Sequence, residues 1–257
     1  MRKPYLLVAV LLTLALTACG KQASAEDALA AGRAHLEAGE YAEAVADLET
    51  AVAADPSNTE AHFALGQAYF RIGDLEKAAT EFRTVLATNP DHAAAHHNLG
   101  VTYFQLRDPN AALAEFQAAL ELDPDDPDTH YQLGATYLAL AFSSLDPNAP
   151  PDPQRLEQAT AEFQAALALE ADMPEALIGL ANVSIAQGDY AAAIESLQKA
   201  IAQRPDSPEA YYALAEAYAQ SGDPAQACEA YRRFMELNPP PDWQNQGRQA
   251  MTALGCR

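Results

Sequence analysis

Apolar residues recur at helical spacing along most of this 257-residue chain. Phe63, Leu65, Tyr69 and Phe70 mark one face; after a break, Leu75, Ala78, Ala79, Phe82, Val85 and Leu86 mark the next. Steps of three and four residues put such side chains on one side of an α-helix. No stretch alternates with period two over the length of a strand, so the pattern predicts an all-α fold. The breaks read Gly73-Asp74, Gly188-Asp189 and Gly222-Asp223. There glycine can take the left-handed backbone that ends one helix, and aspartate caps the next. Pro109 and Pro224 follow an aspartate and suit a first helical position, where a missing N–H costs nothing.

The helical pairs repeat. Pro56, Pro90 and Pro124 stand 34 residues apart, as do Gly66, Gly100 and Gly134, and Tyr69, Tyr103 and Tyr137. Ala78 and Ala112 follow the same step, with Phe82 and Phe116 four residues behind each. A fixed period across several residue types means one supersecondary unit copied along the chain. The set His62, Leu65, Gly66, Tyr69, Ala78, Phe82, Pro90 and its copy His96, Leu99, Gly100, Tyr103, Ala112, Phe116, Pro124 resemble the tetratricopeptide repeat. Gly32, Ala44, Leu48 and Pro56 mark an earlier unit. Ala193, Leu197 and Pro205, then Leu214, Tyr218, Ala227, Tyr231 and Pro239, mark two later ones.

The resemblance implies an α-solenoid of antiparallel helix pairs wound as a right-handed superhelix. Six units are expected over residues 25–241, at about 25–58, 59–92, 93–126, 127–173, 174–207 and 208–241, with a capping helix and tail over 242–257. The fourth unit begins with His130, Leu133, Gly134 and Tyr137, but its Ala159 and Phe163 arrive 13 residues late. That insertion, over about 141–154, carries Pro147, Pro150, Pro151 and Pro153 and is expected to form an extended, stiff loop. The fourth unit also ends in Glu170-Ala171 where its neighbours have a proline, and the fifth has Ala181 and Ser184 in place of the glycine and tyrosine.

The amino terminus has a different character. Arg2 and Lys3 precede an apolar run from Tyr5 to Leu16, then Thr17-Ala18-Cys19-Gly20. A positive flank, a short apolar core and small residues read as a secretory signal, too short to remain as a spanning helix. Leu16-Thr17-Ala18-Cys19 resembles a bacterial lipobox, which implies a signal peptide over 1–18, lipid on Cys19 and a linker over 19–24. The expected location is extracytoplasmic and membrane-anchored, on the outer membrane of a diderm or the outer face of the cell membrane of a monoderm. The first helix would then lie within about 20 Å of the lipid.

Charge narrows the partners. The chain has 15 basic and 36 acidic residues, net −21, and removal of 1–18 takes only Arg2 and Lys3, leaving net −23. So acidic a protein does not bind nucleic acid by neutralising phosphates. A protein partner fits better, a peptide or helix that can carry basic charge. Cys228 and Cys256 are expected to form a disulfide in an oxidising compartment, because an antiparallel capping helix ends beside the start of the helix before it.

Metal binding has one candidate cluster, His92, His96 and His97, but His92 stands at a helix start and no fixed third ligand is evident, so no metal or cofactor is expected. His62, His96 and His130 recur at unit spacing, too far apart to share an ion, and read as a packing column. No phosphate loop, nucleophile elbow or cofactor motif is present, and the repeat accounts for nearly every residue, so no catalytic residue and no enzyme is expected.

In the tetratricopeptide family the first helix of each pair lines a concave surface that holds a peptide or helix. By position, that surface here takes Phe63, Phe70, His97, Val101, Phe104, Tyr131, Leu138, Ile178 and Tyr212, rimmed by Glu26, Glu60, Asp128, Glu175 and Glu209. The expected function is a membrane-anchored scaffold or adaptor in the bacterial cell envelope. The alternatives are a small-ligand or metal-binding lipoprotein using His92, His96 and His97, and a self-associating structural protein.

Overall fold

The computed structural model describes residues 24–144, 146 and 149–256. Cys19, its signal segment and most of the linker lie outside the described residues, as do three positions of the proline-rich insertion. The described chain divides into two compact units, one ending at Leu122 and the other beginning at Asp123.

The first unit holds three helix pairs. They are α1 (residues 24–38) with α2 (Tyr41–Ala54), α3 (Thr59–Ile72) with α4 (Leu75–Thr88), and α5 (Ala93–Gln105) with α6 (Pro109–Leu122). Side-chain oxygens cap several starts: Asn58 accepts from the Ala61 N–H, Asp74 from Lys77 and Asp108 from Ala111. The α3–α4 turn uses Gly73 at φ 82°. The α5–α6 turn puts Arg107 in the same left-handed region at φ 63°, without a glycine.

Packing explains the repeated glycine. A Cβ on Gly66 would stand 2.7 Å from the Phe82 ring, and one on Gly100 would stand 2.7 Å from Phe116. Phe82 and Phe116 are wholly buried. Bare backbone on the first helix is therefore the seat for the aromatic of the second, and any larger residue would push the pair apart.

The histidine column is polar, which corrects its reading as plain packing. His62 Nδ1 meets Glu81 Oε2 at 2.6 Å, while its Nε2–H donates to the Pro56 carbonyl at 3.1 Å. His96 does the same with Glu115 at 2.7 Å and Pro90 at 3.0 Å. Each ring ties the second helix of its own pair to the loop that closes the previous one. Such a bracket satisfies a carbonyl and a carboxylate that would otherwise be half-buried and unpaired.

The second unit holds α7 (Pro127–Ala141) with α8 (Pro153–Leu169), α9 (Pro174–Gln187) with α10 (Tyr190–Gln203), α11 (Pro208–Ser221) with α12 (Pro224–Glu236), and α13 (Pro241–Ala253) against α12. His130 repeats the bracket with Glu162 at 2.7 Å and Pro124 at 3.0 Å. The 13 inserted residues are shared out. Relative to α3 and α4, α7 gains one residue, α8 gains three, and nine go into the connection 142–152. The insertion is thus partly helical. Pro153 opens α8, and the Asp152 carboxylate accepts from Gln154 and Arg155. The neck of the loop is pinned where the Asp152 N–H donates to the Ala141 carbonyl at 2.9 Å.

At the far end, Cys228 of α12 and Cys256 beyond α13 are joined, with Cα atoms 5.5 Å apart. Trp243 of α13 stacks on Tyr212 and stands edge-on to Phe234, closing the last pair with aromatic surface. Among the described residues, no helix is long and apolar enough to cross a membrane.

Candidate interaction surface

The nine side chains expected on the inner face fall five in the first unit and four in the second, and all nine are half-buried. One column is sunk further into the scaffold than position alone implies. Phe63 leans on Phe82 at 5.8 Å between ring centres, His97 on Phe116 at 5.9 Å, and Tyr131 on Phe163 at 6.0 Å. Tyr212 meets Tyr231, Phe234 and Trp243. These rings therefore buttress the buried aromatic of their own pair and stay half-buried themselves.

Two clefts open in the first unit. One, of about 290 Å³, is lined by Leu36, Glu37, Tyr41, Gln67, Phe70, Arg71 and Asn98. The other, of about 390 Å³, lies along α1 and includes Leu29, Arg33, Glu37 and Glu60. Arg33 is held by the Glu60 carboxylate. The surface is thus mixed, with two cations, several carboxylates and the amides of Gln67 and Asn98 around an apolar floor. Position in the repeat located Phe70 but not Asn98, because a polar residue outside the inner columns carries no periodic signal here.

The second unit has a different cleft, of about 320 Å³, between the starts of α7 and α9. Asp128, Tyr131, Gln132, Glu170, Asp172, Met173 and Glu175 line it, with Arg204. Arg204 is bound to Glu175. This cleft sits where the fourth pair lacks its closing proline and Met173, just before α9, supplies no side-chain cap. Burial raises the Tyr131 hydroxyl above its ordinary pKa, with the Glu175 charge adding to the effect. Further along, Glu216 of α11 accepts a hydrogen bond from Tyr212, and burial lifts its carboxyl above the usual range.

The three histidines considered for metal have separate tasks. The His92 Nδ1 caps α5 by accepting from the Ala95 N–H at 3.2 Å, and its ring stacks on Phe63 at 4.9 Å. His96 is in its bracket with Glu115, and His97 lies against Phe116. Among the described residues no three ligating side chains come together.

Models of the tetratricopeptide repeat match residues 35–101, 109–140 together with 181–222, and 208–241, more than half of the chain between them. This is a chain of tetratricopeptide repeats. Solved structures agree on the fold. A tetratricopeptide repeat protein from Parabacteroides merdae superposes with TM-score 0.74 at 20% identity, over 90% of this chain and 86% of its own. PilF of Pseudomonas aeruginosa gives 0.71 at 19% identity, over 91% of this chain and 99% of its own. The thermophilic repeat protein TTC0263 of Thermus thermophilus gives 0.62 at 25% identity, over 76% of this chain and 99% of its own. No curated protein matches this chain in sequence.

Proposed function

We propose that this tetratricopeptide-repeat chain is a scaffold that docks another protein of the bacterial cell envelope while lipid on Cys19 holds it at a membrane. The observation that carries the docking role is the inner face, where half-buried apolar side chains and open clefts lie on successive first helices. Surfaces of that kind mark protein interfaces. The anchoring rests on the charged flank, apolar run and Leu16-Thr17-Ala18-Cys19 ending. The joined Cys228 and Cys256 fit an oxidising compartment.

Photocrosslinking from positions 67 and 98 in the native membrane tests the docking role. A discrete crosslinked envelope protein is expected. Phe70→Glu with Phe104→Glu should abolish it while circular dichroism stays unchanged. An undiminished crosslink in that variant would remove the inner face from the mechanism.

A further inference from the structure

The inner wall of the second unit is apolar along its length. Leu138 of α7, Ile178 and Ile185 of α9 and Tyr212 of α11 are half-buried there, and α7 packs on α9 and α9 on α11. None of these three helices contains a lysine or arginine, whereas they carry Asp128, Glu175, Glu209 and Glu216. Arg204 reaches in from the end of α10, but Glu175 already engages it. The first unit differs, because α1 supplies Arg33 and α3 supplies Arg71.

Glu216 is the telling residue. It is half-buried, its hydrogen-bond donor is the neutral Tyr212 hydroxyl, and no cation pairs with it among the described residues. A carboxylate drawn partly out of water on an apolar wall is unfavourable unless a positive charge meets it. Covering the wall with a neutral or acidic segment would desolvate it further without compensation. At the other end of the wall the exposed carboxylates of Glu170 and Asp172 line a cleft and add negative charge there. Two copies of this wall facing each other would bring like charges together, which argues against symmetric self-pairing.

We propose that the wall of α7, α9 and α11 docks a segment of a partner protein in which apolar side chains alternate with lysine or arginine. This rests on the inner face being an interaction surface. The apolar residues seat against Leu138, Ile178 and Ile185, while the cations meet Glu216 and the Glu170–Asp172 cleft.

Calorimetry on the full chain with synthetic peptides tests this. The probes alternate leucine with lysine, with glutamine or with glutamate. The lysine peptide should bind about tenfold or more tightly than the glutamine one, equivalent to about 1.4 kcal/mol, and the glutamate peptide should not bind. Glu170→Gln, Asp172→Asn and Glu216→Gln together should erase that preference and leave glutamine-peptide binding as it was. A control removes equal charge from second helices through Glu43→Gln, Glu157→Gln and Glu229→Gln, and should retain the preference. Equal losses in the two triple variants would reduce the effect to bulk charge and overturn the proposal, as would equal binding of the lysine and glutamine peptides or none at all. Circular dichroism and the single Glu216→Gln variant separate binding loss from unfolding. Lysine-peptide binding that survives while the native crosslink persists in the Phe70→Glu, Phe104→Glu variant would instead count against the wider docking role.

Discussion

The unit ending at Leu122 and the unit beginning at Asp123 use the same helix pair but hold it differently. In the first, Phe82 and Phe116 each meet one glycine of their own pair, and His62 and His96 bracket successive loops in the same way. In the second, the pattern breaks at the connection 142–152, at the missing closing proline before α9 and at the disulfide-linked end. Additional contacts appear where the pattern breaks. Phe163 is approached by two glycines, Gly134 of its own pair and Gly179 of the next, where an added Cβ would lie 2.8 and 2.5 Å from the ring. The difference teaches that departures from a repeat are tolerated where neighbouring pairs share a buried side chain or a covalent link. In an array held by nearest-neighbour contacts, such links carry stability across a weak step.

The largest effect should come from testing that sharing. Phe163→Ala removes a wholly buried ring packed from both α7 and α9, so it should cost near the upper end of the roughly 3–5 kcal/mol typical of such changes. Phe82→Ala, whose ring seats only Gly66 among the glycines, should fall near the lower end. Denaturant unfolding of both variants decides it, and equal costs would break the comparison.

Next comes the covalent cap. Reducing Cys228–Cys256, or Cys256→Ser, opens a link spanning 28 residues and should destabilise the far end by about 3 kcal/mol. Hydrogen exchange should quicken in α12 and α13 and stay unchanged in α3 and α4.

The smallest effect concerns Glu216. Its folded carboxyl titrates above its unfolded value because it is buried, so ionisation counts against the folded state. That penalty is fully present above the folded pKa and fades as pH falls through it. Glu216→Gln should therefore raise the thermal midpoint at neutral pH, with the gain shrinking in acid. A gain independent of pH would exclude ionisation as its cause. The variant that stabilises the free chain is also one expected to weaken cationic docking, which is how a binding residue differs from a structural one.

Much of the fold was legible because it rests on local rules. Asp74, Asp189 and Asp223 were read as caps and accept the expected backbone N–H groups. The histidine column was legible in part. Glu81, Glu115 and Glu162 follow His62, His96 and His130 at matching positions of the second helix, with the 13 extra residues falling before Glu162. That spacing carries the bracket, but it becomes meaningful only once the second helix folds back on the first. The surface was harder to read. Phe63, His97 and Tyr131 were placed on the correct helices, yet how far each ring sinks depends on the aromatic beneath it. Asn98 and Asp172 carried no signal, since polar residues outside the repeat pattern look like ordinary solvated surface.

By itself the sequence determined the helix pairs, their period and their caps, because helical hydrogen bonding and capping act within a few residues. It also determined the absence of lysine and arginine from α7, α9 and α11. Only the tertiary structure decided what that absence means. It drew Glu216 partly out of water and joined Glu170 and Asp172 to Tyr131 in one cleft. Burial and mutual distance set the energy of a charge, and both are properties of the packed chain.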